Sequence, residues 1–234
     1  MGLPLYYIDY WYLILVVPAL LISIWAQVKV KSTFNKYSRM SVACGMTGAA
    51  ASQLIQQAYG IRTGLEAVAG ELSDHYDPRC NTIRLSPAVY GQASVAAVGV
   101  AAHETGHALQ HAQGYAPIKL RTAMVPVTNF ASSLSPVLVI LGIALSMDPL
   151  AYLGVALFSL ATLFQLVTLP VEFNASRRAV VALERSGYFS PDEIQGVKKV
   201  LTAAALTYVA ALFVSLMNLL RLILIVSGNR GRRR

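Results

Sequence analysis

Charged residues are absent from four long runs of the chain, at 10–28, 122–147, 149–171 and 200–220. Each run has 19 or more residues, and roughly 20 predominantly apolar residues cross a bilayer as a helix. One such run could be the buried helix of a soluble protein, but four together read as membrane spans. Polar positions gather between them, with fourteen charged residues in 29–121 and nine in 172–199. The pattern predicts a mainly α, polytopic membrane protein with about four transmembrane helices and a small α+β region. Its expected divisions are a first transmembrane helix in 1–28, a polar region in 29–121 and a transmembrane hairpin in 122–171. A polar helix and loop follow in 172–199, then a fourth transmembrane helix and basic tail in 200–234.

Local signals refine this outline. The first span is expected over Tyr6–Val28, retained rather than cleaved, because Lys29 and Lys31 follow it directly. Thr47 suits the cap of a short helix through Tyr59 that Gly60 ends. Leu65–Ser73 and Thr82–Leu85 read as short strands around the turn-rich Asp77-Pro78-Arg79-Cys80-Asn81. Ser86-Pro87 suits a helix entry. From Ser94 the run SVAAVGVAAHETGHALQHAQG reads as an Ala-rich helix closing near Gly114. Pro126 and Pro136 lie inside span two, where prolines kink helices. Span three ends at Pro170, and its helix is expected to continue through about Glu184. Ser190 and Glu193 form a capping box that opens the helix of span four.

Composition changes this picture in two ways. The formal charge of +8 is a signature that nucleic-acid binders share, but its distribution argues against such a partner. Nine Lys and Arg lie in 29–121 and five in 172–199, with none before the first span or in the Asp148-Pro149 turn. This is the positive-inside pattern, and it puts both polar regions in the cytoplasm. The tail Arg230, Arg232, Arg233 and Arg234 runs against it if 200–227 crosses once. Alternatively the last segment re-enters or lies partly in the interface, with Arg221 snorkelling. Cys44 and Cys80, 36 residues apart and outside any CxxC, read as buried thiols rather than a disulfide or ligand pair.

The chemistry sits at His103-Glu104-Thr105-Gly106-His107, an HExxH motif. Residues four apart share a helical face, so both imidazoles can bind one metal. Glu104 is rotated to an adjacent position, from which it reaches a water on that metal without displacing a ligand. Zinc lowers the pKa of such a water to about 7, and Glu104 would act as general base in carbonyl hydrolysis. Three of the four histidines, at 103, 107 and 111, lie on one helical stripe. His111 is a turn too far for the same metal, and a supporting or surface role suits it better. Gln110 and Gln113 stand where a metzincin needs Gly and His. The chain has no Asp-Gly dipeptide, as an intramembrane site-two protease would, and no GxxxxGK[ST] loop for ATP.

A third ligand is then expected to be a downstream carboxylate. Glu172 shares a helical face with Ala175, Ser176 and Ala179, whose small side chains let a second helix come close. The competing reading is an interfacial Glu neutralised by Arg177 or Arg178.

Asp74-His75-Tyr76-Asp77-Pro78-Arg79, the run Ala101-Ala102-His103-Glu104 through Gln110, and Glu172 through Ala179, in this span order, resemble the YugP-like membrane zinc metallopeptidases. These are bacterial membrane proteins, and the likeness covers essentially the whole chain. More distantly, HExxH followed by Glu-Phe-x-Ala resembles the HtpX and CAAX-prenyl membrane peptidases of the gluzincin clan. Those usually carry Asp where this chain has Ser176. That departure weakens the transfer of the Asp's supporting role behind the ligands, though not of Glu172 as ligand. The resemblance implies a zinc peptidase of the bacterial inner membrane, with one Zn2+ per chain held by His103, His107 and Glu172.

His75 and Tyr76 have two readings. In the first they sit on the strand before the active helix, where gluzincins line the substrate cleft, and either could steady the oxyanion of a tetrahedral intermediate, with Arg177 or Arg178 as rivals. In the second DHYDP is only a turn whose aspartates bond the backbone. For the whole protein, the leading expectation is an endopeptidase acting on membrane or membrane-proximal proteins at the cytoplasmic face. Its partners would be the lipid bilayer and a peptide or membrane-protein substrate, taken by strand addition at an exposed edge near 66–73 or 82–85. The alternative is a non-proteolytic membrane adaptor keeping a structural zinc, against which the presence of Glu104 argues. A transporter would need charges within the spans, and the charge-free runs offer none.

The charge asymmetry predicts that, with cysteines placed at Gln113 and Asp148 in intact cells, an impermeant thiol reagent labels only position 148. Labelling of 113 from outside would reverse the orientation.

Overall fold

A computed structural model of the chain describes residues 10–70 and 72–231. Tyr6 to Asp9 of the expected first span, Glu71, and the tail residues Arg232, Arg233 and Arg234 lie outside the described residues. The described chain is mostly helical, with a small three-stranded sheet. Four of its helices are long and apolar enough to cross a membrane: Tyr12–Tyr37, Ala116–Ala144, Asp148–Ser186 and Pro191–Gly228. The chain falls into two compact units.

One unit comprises residues 10–26, 120–168 and 207–231. It holds a π-helical turn, Tyr12–Val16, and the start of α1 (Val17–Tyr37), most of α5 (Ala116–Ala144), the first half of α6 (Asp148–Ser186) and the end of α7 (Pro191–Gly231). Small residues draw α5 and α6 together, as suits helices that cannot rely on hydrophobic exclusion from water. A Cβ at Gly142 would lie 2.3 Å from Ala151 N, and one at Gly154 would lie 2.6 Å from Val139 Cγ2. Ser135 Oγ donates to the Gly154 carbonyl at 2.8 Å, and Thr162 and Ser215 hydroxyls pair at 2.8 Å. Val139, Ala151, Val155 and Val226 form the buried cluster. Arg221 lies over the Tyr12 ring, 5.1 Å from its centroid.

The other unit comprises residues 27–119 and 169–206. Its centre is α4 (Val95–Ala112), capped by Ser94 Oγ accepting from Ala97 N. An 18-residue helix with Ala or Gly at so many positions can be approached closely on several sides, and 14 of its residues are buried. On one side lies α2 (Gly48–Ala58), capped by Thr47 and held by a Ser52–Thr105 hydroxyl pair at 2.8 Å. On another lie Ile83 and Leu85, with Val89 of the short α3 (Pro87–Tyr90), packed on Ala97, Ala101 and Ala108. The capping box at Ser190 and Glu193 is present, and Glu193 Oε1 also accepts from Ala43 N at 2.6 Å.

The sheet differs from the sequence expectation. β1 (Gly64–Ala67) pairs parallel with β3 (Thr82–Leu85), and β2 (His75–Asp77) pairs antiparallel with β3. The order β1-β3-β2 makes 82–85 the central strand, paired on both sides. It cannot accept an added strand, and the edges are β1 and β2. The strand expected to run to Ser73 stops at Ala67, and the DHYDP segment supplies β2. Both cysteines are exposed, not buried, because Cys44 sits in the loop after α1 and Cys80 in the β2–β3 turn. The helix after the first run also continues past Val28 to Tyr37.

Candidate metal centre

α4 carries His103 and His107 one turn apart, their rings 4.8 Å between centroids and near-perpendicular at 83°. α6 passes directly against this turn. A Cβ at Gly106 would lie only 2.6 Å from the Ala175 carbonyl oxygen, so no side chain fits at position 106. Ala175 and Ala179 on the facing side are fully buried. This approach brings Glu172 in, 2 % exposed, with Oε2 3.3 Å from His103 Nε2 and 3.5 Å from His107 Nε2. All three donor atoms lie within 4.8 Å of one another.

These separations fit a metal. A tetrahedral ion holding N and O donors at about 2.0–2.1 Å places them roughly 3.3–3.4 Å apart. Two imidazole nitrogens and one carboxylate oxygen also form a donor set that zinc takes when it keeps a further position for water. The electrostatics agree. Burial opposes charge on His107, yet Glu172 beside it, aided by Glu104 and Gln110, raises its pKa above the ordinary 6.5. The pocket therefore favours positive charge at the point where the donors meet.

Both rings are held from behind. His103 Nδ1 lies 3.1 Å from Ser176 Oγ, one turn along α6 from Glu172. His107 Nδ1 lies 3.0 Å from Gln110 Oε1. Such partners turn each Nε2 toward the shared point and fix the ring's orientation. The residue that departs from the distant gluzincin pattern, Ser176, therefore does contact a histidine, as a neutral hydroxyl instead of a carboxylate. The sequence reading gave Gln110 no role at the metal: it figured there as a departure from the metzincin pattern and as the end of the family-like run. Its spacing of three from His107 on one helix was the available signal.

Of the remaining candidates, Glu104 is buried on α4 next to His103, outside the three-donor group and near enough to His107 to act on its charge. Tyr76 and His75 separate. Tyr76 is in register with Ile83 and packs on the α4 side of the sheet, its ring 5.4 Å from that of His111. Its hydroxyl donates to Asn81 Oδ1 at 2.9 Å. Burial, with Asp77 and Cys80 nearby, pushes its phenol above the usual 10. His75 is in register with Arg84 on the opposite face, exposed, with Nδ1 bonded to the Ser73 carbonyl at 2.7 Å. Strand alternation thus keeps His75 off the α4 face. Arg177 is exposed. Arg178 is engaged already: its Nε donates to Asn174 Oδ1 at 2.6 Å, its Nη1 donates to Gln113 Oε1, and it stacks over Tyr115.

Residues 12–227 match the family model described as "Putative neutral zinc metallopeptidase". The chain is 48 % identical over 220 residues to a protein of Bacillus subtilis (strain 168) named "Putative membrane protease YugP", covering 94 % of this chain and 98 % of that one. No solved structure matches.

The close contact at Gly106 predicts that Gly106→Val disturbs the centre without removing a ligand. Overpacking costs about 1–3 kcal/mol, and as α6 moves off α4 and carries Glu172 with it, zinc affinity measured by chelator competition should fall by roughly fivefold or more. Gly91→Ala, where an added Cβ meets nothing within 4 Å, should leave it unchanged. Wild-type affinity in Gly106→Val would refute the packing argument.

Proposed function

The chain belongs to the neutral zinc metallopeptidase family, and from that premise we propose that it is a zinc-dependent membrane endopeptidase whose site is His103, His107, Glu172 and Glu104. The observation that carries this reading is the convergence of two Nε2 atoms on one buried carboxylate oxygen at 3.3 and 3.5 Å. His103, His107 and Glu172 would hold one zinc ion. Once bound, the ion would supply a Lewis acid that lowers the pKa of water to about 7 and polarises the scissile carbonyl.

The protein's own part is proton handling and orientation. Glu104 lies beside the ligands but outside their group, so its carboxylate is available to take the water's proton and return it to the leaving amine. Ser176 and Gln110 hold the histidines. Among the residues considered for the oxyanion, β2 turns Tyr76 toward α4 while His75 faces away, but the Tyr76 hydroxyl, bonded to Asn81, and the Arg178 guanidinium, bonded to Asn174 and Gln113, would each have to change partner to serve.

Hydrolysis needs water, which favours a site at the membrane face over one at mid-bilayer. The Lys and Arg asymmetry supports the cytoplasmic face, with 29–121 and 172–199 as the polar, gluzincin-like catalytic part and 1–28, 122–171 and 200–234 as its membrane part. The substrates would then be peptides or membrane-protein segments emerging there, and an edge such as β1 could take them in extended form.

Glu104→Gln tests the assignment of the base. The variant should fold and keep its zinc, measured on the same preparation, while hydrolysis of a casein-like or membrane substrate falls by about 10²-fold or more. Undiminished turnover at full zinc content would sink the mechanism, and lost zinc would make Glu104 a ligand.

A further inference from the structure

The hydrogen bonds behind His107 do not stop at Gln110. Gln110 Nε2 donates to the Val171 carbonyl at 2.8 Å and to Asn174 Oδ1 at 3.0 Å, and Asn174 Oδ1 also accepts from Arg178 Nε at 2.6 Å. A guanidinium only donates, so Asn174 must present its oxygen to Arg178. That same oxygen then faces Gln110, which must offer its amide nitrogen, a choice the acceptor-only Val171 carbonyl reinforces. Gln110 Oε1 is left for His107 Nδ1, 3.0 Å away. An amide oxygen only accepts, so Nδ1 carries a proton, and in the neutral ring the lone pair is on Nε2, the atom that faces Glu172.

We infer that Arg178 is a positioning residue for the metal centre, selecting through Asn174 and Gln110 the His107 tautomer that can bind a metal. Without the guanidinium, Asn174 can rotate its amide and present Nδ2 to Gln110. Gln110 then has one anchor fewer against its own rotation, which would turn its NH2 toward His107 and favour the Nε2–H tautomer. Loss of such supporting partners typically costs 10- to 100-fold in metal affinity. Arg178 acts from two links away and with Val171 as a second anchor, so the lower figure applies. The inference rests on His107 and Glu172 being ligands.

The test uses the full chain in detergent, with zinc as the only probe. Arg178→Met should weaken zinc binding about tenfold in chelator competition, and Arg178→Lys, which restores a pure donor, should recover most of it. In the zinc-free protein, at a pH high enough to keep His107 neutral, 15N-histidine NMR should show His107 gaining the Nε2–H tautomer in Arg178→Met but not in Arg178→Lys. A relay also predicts non-additivity. In a Gln110→Leu background, Arg178→Met should add no further loss, whereas a helix staple acting through Gln113 would add its full effect. Should Arg178→Met not fold, Asn174→Ala cuts the same chain one link nearer. Unchanged affinity in Arg178→Met, additive losses, or an unmoved tautomer would overturn the relay. Glu172→Ala measured alongside separates the two levels: if it binds zinc like wild type, the metal centre itself is misassigned, and if it loses zinc while Arg178→Met does not, only the relay fails.

Discussion

The backbone of α6 lies against α4 at a residue with no side chain, and the whole centre follows from that approach. Gly106 leaves room for the Ala175 carbonyl where any Cβ would collide at 2.6 Å. One turn before Ala175, Glu172 reaches both Nε2 atoms; beside it, Ser176 reaches His103 Nδ1. From the α4 side, Gln110 grips the Val171 carbonyl of α6 and His107 together. Interiors are packed to crystal density, so an ångström of separation between the helices would be felt by each of these contacts at once.

The same approach buries charge, which needs an answer. A carboxylate 2 % exposed is costly unless opposed by positive charge or hydrogen bonds. The groups behind the histidines, Ser176 and Gln110, are neutral, so they orient the rings without adding to the negative charge. Glu104 and Glu172 together carry the charge that one divalent cation would balance. This matching links the packing to the proposed chemistry, because the positions that let the helices meet also decide what can stand between them.

Much of this was legible along the chain, for physical reasons that differ by feature. The charge-free runs announced four long helices because a span needs length and apolarity alone. Caps at Thr47 and Ser190 were readable because capping is local chemistry. Glu172 could be singled out because its Ala and Ser neighbours fall on one face. The sheet was not legible to the same degree. Three strands of three or four residues are ordered by pairing across distant sequence, and nothing local says that 82–85 is central or chooses between strand and turn for DHYDP. His75 and Tyr76 differ by one position, and a strand sends such neighbours to opposite faces, so the useful one could not be chosen before the register was known. Arg178 was in view only as an oxyanion candidate or a counter-charge; its link through Asn174 to Gln110 was not, because that link crosses from α6 to α4 and depends on how the two helices pack.

The reading turns on what surrounds the metal, and zinc K-edge X-ray absorption on the zinc-loaded full chain observes that directly. The account predicts a shell of low-coordinate N and O donors near about 2.0–2.1 Å, with the outer-shell scattering of two imidazoles and no sulfur. It further predicts that Glu172→Ala loses zinc or loses one protein oxygen from the shell. A sulfur contribution from Cys44 or Cys80, or a shell unchanged in Glu172→Ala, would contradict it.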